Sequence, residues 1–214
     1  MTTLLLIRHG QSNSNLERIF TGQTETVLTP LGHAQAEAVA ARLAEYPIDC
    51  IYSSDLTRVL QTATPTAERL GKPIIPSKEL REIFAGEWEG CSYEYLCEHY
   101  PDSYRAWRED VGRAHPDGGE STVALSARVY AEIDRIASLH KGQCVAIFTH
   151  ATPLRVLGAR WHGLAPERTA EVPWCPNASL TVVEIDDDGK TNLVLYGDDS
   201  HQGDLASRFP TGAV

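Results

Sequence analysis

The chain has little that would tie it to a membrane, to nucleic acid or to a disulfide framework. No apolar run approaches the length of a membrane span. The N-terminal run Leu4-Leu5-Leu6-Ile7 is too short for a signal-peptide core and has no basic segment before it, so the expected location is cytoplasmic. Cations are scarce: 19 Lys and Arg stand against 29 Asp and Glu, a net charge of −10. That balance argues against nonspecific binding to nucleic acid or to an anionic membrane surface. The 5 cysteines (Cys50, Cys91, Cys97, Cys144, Cys175) are odd in number and include no Cys-x-x-Cys pair, which fits reduced thiols rather than a disulfide scaffold. Cys50 and Cys144 lie in apolar, strand-like runs and read as core residues. There is no low-complexity tract and no evident internal repeat.

What is present is an ordinary globular composition, 42% hydrophobic and 22% charged over 214 residues, enough for one domain (1–214) with a substantial core. Apolar runs at 4–7, 48–53, 73–76 and 144–149 read as strands. Residues 11–28, rich in Ser, Asn, Thr and Gly, read as a long loop. Helical spacing follows Thr29-Pro30, where Ala36, Val39, Leu43 and Tyr46 form one face that Pro47 ends. It recurs over 56–70, closed by Gly71, over 120–140, with Leu125, Val129, Ile133 and Ile136 on one face, and from Thr152 to Arg160. Residues 92–110 carry Tyr93, Tyr95, Tyr100, Tyr104 and Trp107 and read as two short helices split near Pro101, a lid-like insertion at about 91–116. Asp188-Gly189 marks a hairpin between runs at 180–185 and 193–196. Alternating strands and helices predict an α/β three-layer sandwich with a mostly parallel central sheet and one antiparallel edge element.

That fold would bring parallel strand ends to one edge of the sheet. The first strand ends on Arg8-His9, the second leads into a helix bearing Arg58, and the strand at 144–149 ends on His150. A lone Arg-His pair would be read as the start of a surface loop; convergence with Arg58 and His150 changes that. Arginine presents a fixed donor fork to phosphate oxygens and stays charged. A helix starting after His150 would offer backbone N–H groups to an anion. A neutral histidine can attack phosphorus, and neighbouring arginines disfavour its protonation.

Arg8-His9-Gly10-Gln11-Ser12, with Asn15 beyond it, resembles the signature of the histidine phosphatase superfamily, the phosphoglycerate mutase-like fold. The resemblance runs in order through Phe20-Thr21-Gly22, Leu28-Thr29-Pro30-Leu31-Gly32, Tyr52 to Arg58 with Gln61-Thr62-Ala63, Leu80-Arg81-Glu82, Gly86 to Gly90, Gly118-Gly119-Glu120-Ser121 and Thr149-His150. It implies that His9 is the nucleophile and becomes a phosphohistidine. Arg8, Arg58 and His150 would bind the phosphoryl oxygens. Glu82 would protonate the leaving oxygen and then serve as base for water; register relative to Leu80 and Gly86 selects it over Glu79, Glu87 and Glu89. Asn15, Thr21, Gly22 and Ala151 would contact substrate, a small phosphorylated metabolite, and no metal or cofactor is implied.

The sequence departs from the family pattern in three places. Ala151 stands where glycine is common and Gln11 where glutamate is common. The region of 91–115 has single arginines (Arg105, Arg108, Arg113) in place of the adjacent pair of the mutases, which favours a phosphatase over a phosphoglycerate mutase-type isomerase. A non-catalytic phosphate-binding module has no need of the acid, and metal-dependent hydrolysis finds no ligand spacing. His33, His99, His115, His140 and His162 read as surface or structural residues, with His201 the one to watch. Asp186-Asp187-Asp188 reads as a solvated turn. Oligomeric state is open, with a homodimer one option.

Overall fold

The computed structural model describes residues 1–207. The described residues form a six-stranded sheet in the order β3-β2-β4-β1-β5-β6. The strands are β1 (Thr2–Arg8), β2 (Ile48–Ser53), β3 (Ile74–Pro76), β4 (Cys144–Thr149), β5 (Leu180–Ile185) and β6 (Thr191–Asp198). β1, β2, β3 and β4 are parallel, while β5 runs against both β1 and β6. This is the mostly parallel sheet with an antiparallel edge read from the sequence. Gly189 turns the hairpin at φ 82°, a conformation glycine adopts without steric cost.

Leu4, Leu5, Leu6 and Ile7 are fully buried, and their alternation divides the core in two. Leu4 and Leu6 face one apolar layer with Val145 and Ile147, whereas Leu5 and Ile7 face the other with Ala146 and Phe148. Helices α2 (Pro30–Leu43) and α3 (Thr57–Leu70) cover the second layer through Val39, Leu43, Val59 and Ala63. The first layer is covered by α6 (Thr122–Leu139), through Leu125, Val129, Ile133 and Ile136, and by α7 (Ala151–Trp161). The short helices α4 (Tyr93–His99) and α5 (Pro101–Glu109) meet at Pro101, as the sequence predicts. Their Leu96, Tyr104 and Trp107 join the first layer around fully buried Trp88.

Several boundaries differ from the sequence reading. Residues 11–28 are not all loop: α1 (Asn13–Glu17) forms inside them because Ser12 and Asn15 cap each other's backbone N–H groups. α2 stops at Leu43, before Tyr46, whose N–H turns back onto the Leu43 carbonyl at 3.0 Å; a residue preceding proline is held out of helical geometry. α6 starts at Thr122 because the Ser121 hydroxyl accepts the Ala124 N–H. Cys144 is buried, but Cys50 is only half-buried against the core. No helix among the described residues is long and apolar enough to cross a membrane.

Candidate active site

The parallel register sets Arg8 opposite Thr149, so the strand ends that carry His9 and His150 lie side by side. The His9 N–H donates to the Thr149 carbonyl at 3.0 Å, and the two imidazoles meet edge to face with centroids 5.3 Å apart. The Gly10 carbonyl lies 2.7 Å from His9 Nδ1. A carbonyl can only accept, so Nδ1 carries the proton and Nε2 is left with its lone pair. The turn is held from three sides. Gly10 N–H donates to Thr62 Oγ1 at 3.0 Å, and the His9 carbonyl accepts from Asn177 Nδ2 at 3.0 Å and from the Ala178 N–H at 3.1 Å.

His9 opens onto a cavity of about 340 Å³ whose wall also includes Arg8, Arg58, Glu82, Asn15 and Thr21. Arg8 Nη1 donates to the Cys175 carbonyl at 2.6 Å. Arg58, in the first turn of α3, donates to the carbonyls of Gly22 (2.8 Å) and Thr24 (3.0 Å). Backbone carbonyls thus orient both guanidiniums at the cavity wall. The Glu82 carboxylate accepts the Ile83 N–H at 2.8 Å and the Thr152 N–H at 3.2 Å. One donor at the start of α7 that the sequence reading assigned to an anionic ligand is therefore occupied by Glu82. Two backbone donors hold this carboxylate in place at the cavity wall.

Burial, and then the positive charges of Arg58 and Arg8, hold His9 well below the ordinary histidine range. His150 is depressed likewise by burial, Arg58, His9 and Arg8. Burial brings Arg58 down to about 10, opposed by Glu82, Glu25 and Glu89, so it remains a cation at neutral pH. The site is a neutral imidazole lone pair beside fixed positive charge. Such an arrangement can bind a dianion and present it to a nucleophile.

The residues singled out in the sequence take different places. His9, Arg8, Arg58, Glu82, Asn15, Thr21 and Ala151 line the cavity. His150 is fully buried beneath it; its Nε2 pairs with Ser54 Oγ at 2.9 Å, and its Nδ1 is a buried atom with no hydrogen-bond partner. Gly22 lies off the wall, where a Cβ would collide with the Ile83 carbonyl and the Glu89 carboxylate; its contribution is the carbonyl that holds Arg58. Of the competing acids, Glu89 is spent on the N–H groups of Gln23, Thr24 and Ala85, and Glu87 accepts from the Tyr100 hydroxyl. Arg105 and Arg113 pair with Asp102 and Asp110, and none of Arg105, Arg108 and Arg113 lines the cavity. His201 lies away from it, bonded through Nε2 to the Ala178 carbonyl at 3.0 Å. Among the described residues no group of three His, Cys, Asp or Glu side chains is placed to hold a metal ion.

Sequence reasoning assigned no role to Ser54, Thr62, Asn177 or Cys175. Thr62 had a local signal, since it lies four residues beyond Arg58, whose carbonyl accepts its hydroxyl at 2.7 Å. Asn177 and Cys175 had none, because they reach the site from the connection leading into β5.

A buried histidine with a free lone pair, two fixed guanidiniums and a carboxylate at the carboxyl edge of a parallel sheet define the class of a phosphoryl-transfer enzyme. Residues 4–199 match the family model of the histidine phosphatase superfamily (branch 1). The chain is 34% identical to phosphoglycerate mutase-like protein 4 of Arabidopsis thaliana, over 92% of this chain and 86% of that protein. It is 30% identical to phosphoserine phosphatase 1 of Hydrogenobacter thermophilus, over 91% of each. The solved structure of Bacillus stearothermophilus YhfR superposes with a TM-score of 0.90 at 29% identity, covering 94% of this chain and 99% of that one. The chain belongs to the histidine phosphatase superfamily and is a phosphoric monoester hydrolase.

Proposed function

We propose that the protein is a metal-independent phosphatase that hydrolyses a small phosphorylated metabolite through a phosphohistidine on His9. The observation that carries this reading is the His9 tautomer: Nδ1–H donates to the Gly10 carbonyl, which leaves the Nε2 lone pair free beside Arg8 and Arg58. In the first step Nε2 forms a bond to phosphorus as the bond to the leaving oxygen breaks, and that oxygen takes the Glu82 proton. In the second, water attacks the phosphohistidine and gives a proton to the Glu82 carboxylate; the P–N bond breaks and phosphate leaves. Arg8 and Arg58 balance the charge on the phosphoryl oxygens throughout. His150, bonded through Nε2 to Ser54 Oγ, packs edge to face against the His9 ring and so positions the nucleophile.

The phosphoserine phosphatase relative supports a small phosphorylated metabolite as substrate. Hydrolysis is favoured over isomerisation because the single arginines of the 91–116 stretch stand outside the cavity. That stretch is read as an insertion within one domain, which gives the cavity Tyr93 and Trp107 as walls.

Protein incubated with ³²P-labelled 4-nitrophenyl phosphate in EDTA and quenched in alkaline detergent tests this reading. Wild type is expected to turn over and to carry an acid-labile, base-stable label that His9→Ala lacks. Label surviving in His9→Ala, or turnover abolished by EDTA, would overturn it.

A further inference from the structure

The cavity is more than a phosphate site. Its floor is formed by side chains that are nearly inaccessible, with Arg8 7%, His9 5%, Arg58 1% and Glu82 8% exposed. Above the floor the wall turns apolar and aromatic, with Ile19, Phe20, Ile83, Tyr93, Trp107 and Trp174. At the exposed rim stands one more cation, Arg18.

Arg18 is placed there at a conformational cost. It caps α1 with left-handed backbone angles, φ 57° and ψ 44°, and Ala178 is the other non-glycine residue with positive φ among those described. Residues held in this region cost of order ~1 kcal/mol or more and cluster at functional sites. The backbone is locked on both sides: the Arg18 N–H donates to the Ser14 carbonyl, and its carbonyl accepts the Tyr93 N–H at 3.1 Å. The guanidinium carbon lies 6.0 Å from the centre of the Tyr93 ring. Exposed arginines elsewhere, such as Arg69, Arg105, Arg113 and Arg168, each have an acid as partner. Arg18 has no carboxylate within 4.0 Å among the described residues, in a chain of net charge −10.

We propose that Arg18 is a specificity residue, receiving an anionic substituent such as a carboxylate carried by the leaving group of the phosphomonoester. The proposal rests on the reading of His9 as nucleophile and Glu82 as acid. Among the described residues, three guanidiniums (Arg8, Arg18, Arg58) and one carboxylate (Glu82) line the cavity. Arg8 and Arg58 lie with His9 and Glu82 on the buried floor, so Arg18, at the rim, is the cation placed to meet an anion carried by the leaving group. The substrate class is therefore a phosphomonoester with an apolar body and a second anionic group.

The test is the ratio of kcat/KM for 4-carboxyphenyl phosphate to that for phenyl phosphate, which cancels any general loss of activity. Arg18→Gln is expected to lower the ratio about fivefold, the scale of a partly screened ion pair. Arg18→Lys should keep part of the preference, and the control Arg105→Gln all of it. An unchanged ratio in Arg18→Gln, with the phosphohistidine label intact, overturns the Arg18 assignment alone. Absence of turnover of either ester by the wild type overturns the hydrolytic reading and the Arg18 assignment with it.

Discussion

His9 and His150 make the site sensitive to pH in a direction that follows from their surroundings. Both are held well below 6.5, first by burial and then by the charge of Arg58. The unfolded chain protonates its histidines near 6.5 while the folded protein keeps these two neutral, so below that pH the unfolded state binds more protons. Stability from this source is complete above pH 6.5 and declines as pH falls toward the depressed folded values. Urea unfolding between pH 7 and 5 should lose up to about 1.4 kcal/mol per pH unit for each histidine. His9→Asn should flatten the decline by one histidine's share, and an unchanged slope would remove His9 as a source. By the same depression, the acid limb of kcat/KM should fall below pH 6.5, because the nucleophile stays unprotonated there.

Loops and helix starts become a site through a few polar clamps between elements. Thr62, on α3, accepts the Gly10 N–H at 3.0 Å and so fixes the turn whose carbonyl orients His9. Thr62→Val keeps the shape but orphans that buried donor, at a cost of about 1–3 kcal/mol. The urea midpoint should fall, and kcat should drop more than KM rises, with Thr62→Ser restoring both; wild-type kcat in Thr62→Val would show that the turn holds without the clamp. A second clamp joins the two loops that shape the outer cavity. Phe20 N–H donates to the Cys91 carbonyl at 2.8 Å and Gly90 N–H to the Phe20 carbonyl at 3.0 Å, so residues 18–20 and 90–93 form one wall.

At the scale of the molecule, the cavity depends on the aromatic packing of one core layer. Trp88 is fully buried, with ring centroids 5.3 Å from Phe20, 5.7 Å from Tyr104 and 6.2 Å from Trp107. Phe20 and Trp107 are themselves cavity walls. Trp88→Ala should cost about 3–5 kcal/mol and lower the melting temperature by roughly 10 °C or more for a chain of this size. Aryl phosphate turnover should fall with it, as the wall loses its backing. Thermal unfolding and kcat/KM measured on the same preparation check both; a shift of only one or two degrees would mean that the layer closes over the lost ring.

Much of this was legible in the residues. Four aliphatic residues ending on Arg8-His9 specify a two-sided buried strand with chemistry at its end, because polar and charged groups cannot continue such a core. The strand-helix alternation specifies the parallel sheet, and the motif register separates Glu82 from Glu79, Glu87 and Glu89. What the sequence could not supply were contacts made by atoms distant along the chain. Asn177 and Cys175 hold His9 and Arg8 across separations of 168 and 167 residues. Residue spacing carries no information about such pairs, and only the packed sheet brings them within hydrogen-bond reach. The tertiary structure likewise decided that Gly22 serves through its carbonyl, that Glu82 occupies a donor at the start of α7, and that Arg18 stands at the rim. Each depends on where a backbone carbonyl, an N–H or a side chain lies after folding, which the identity of the residue alone does not fix.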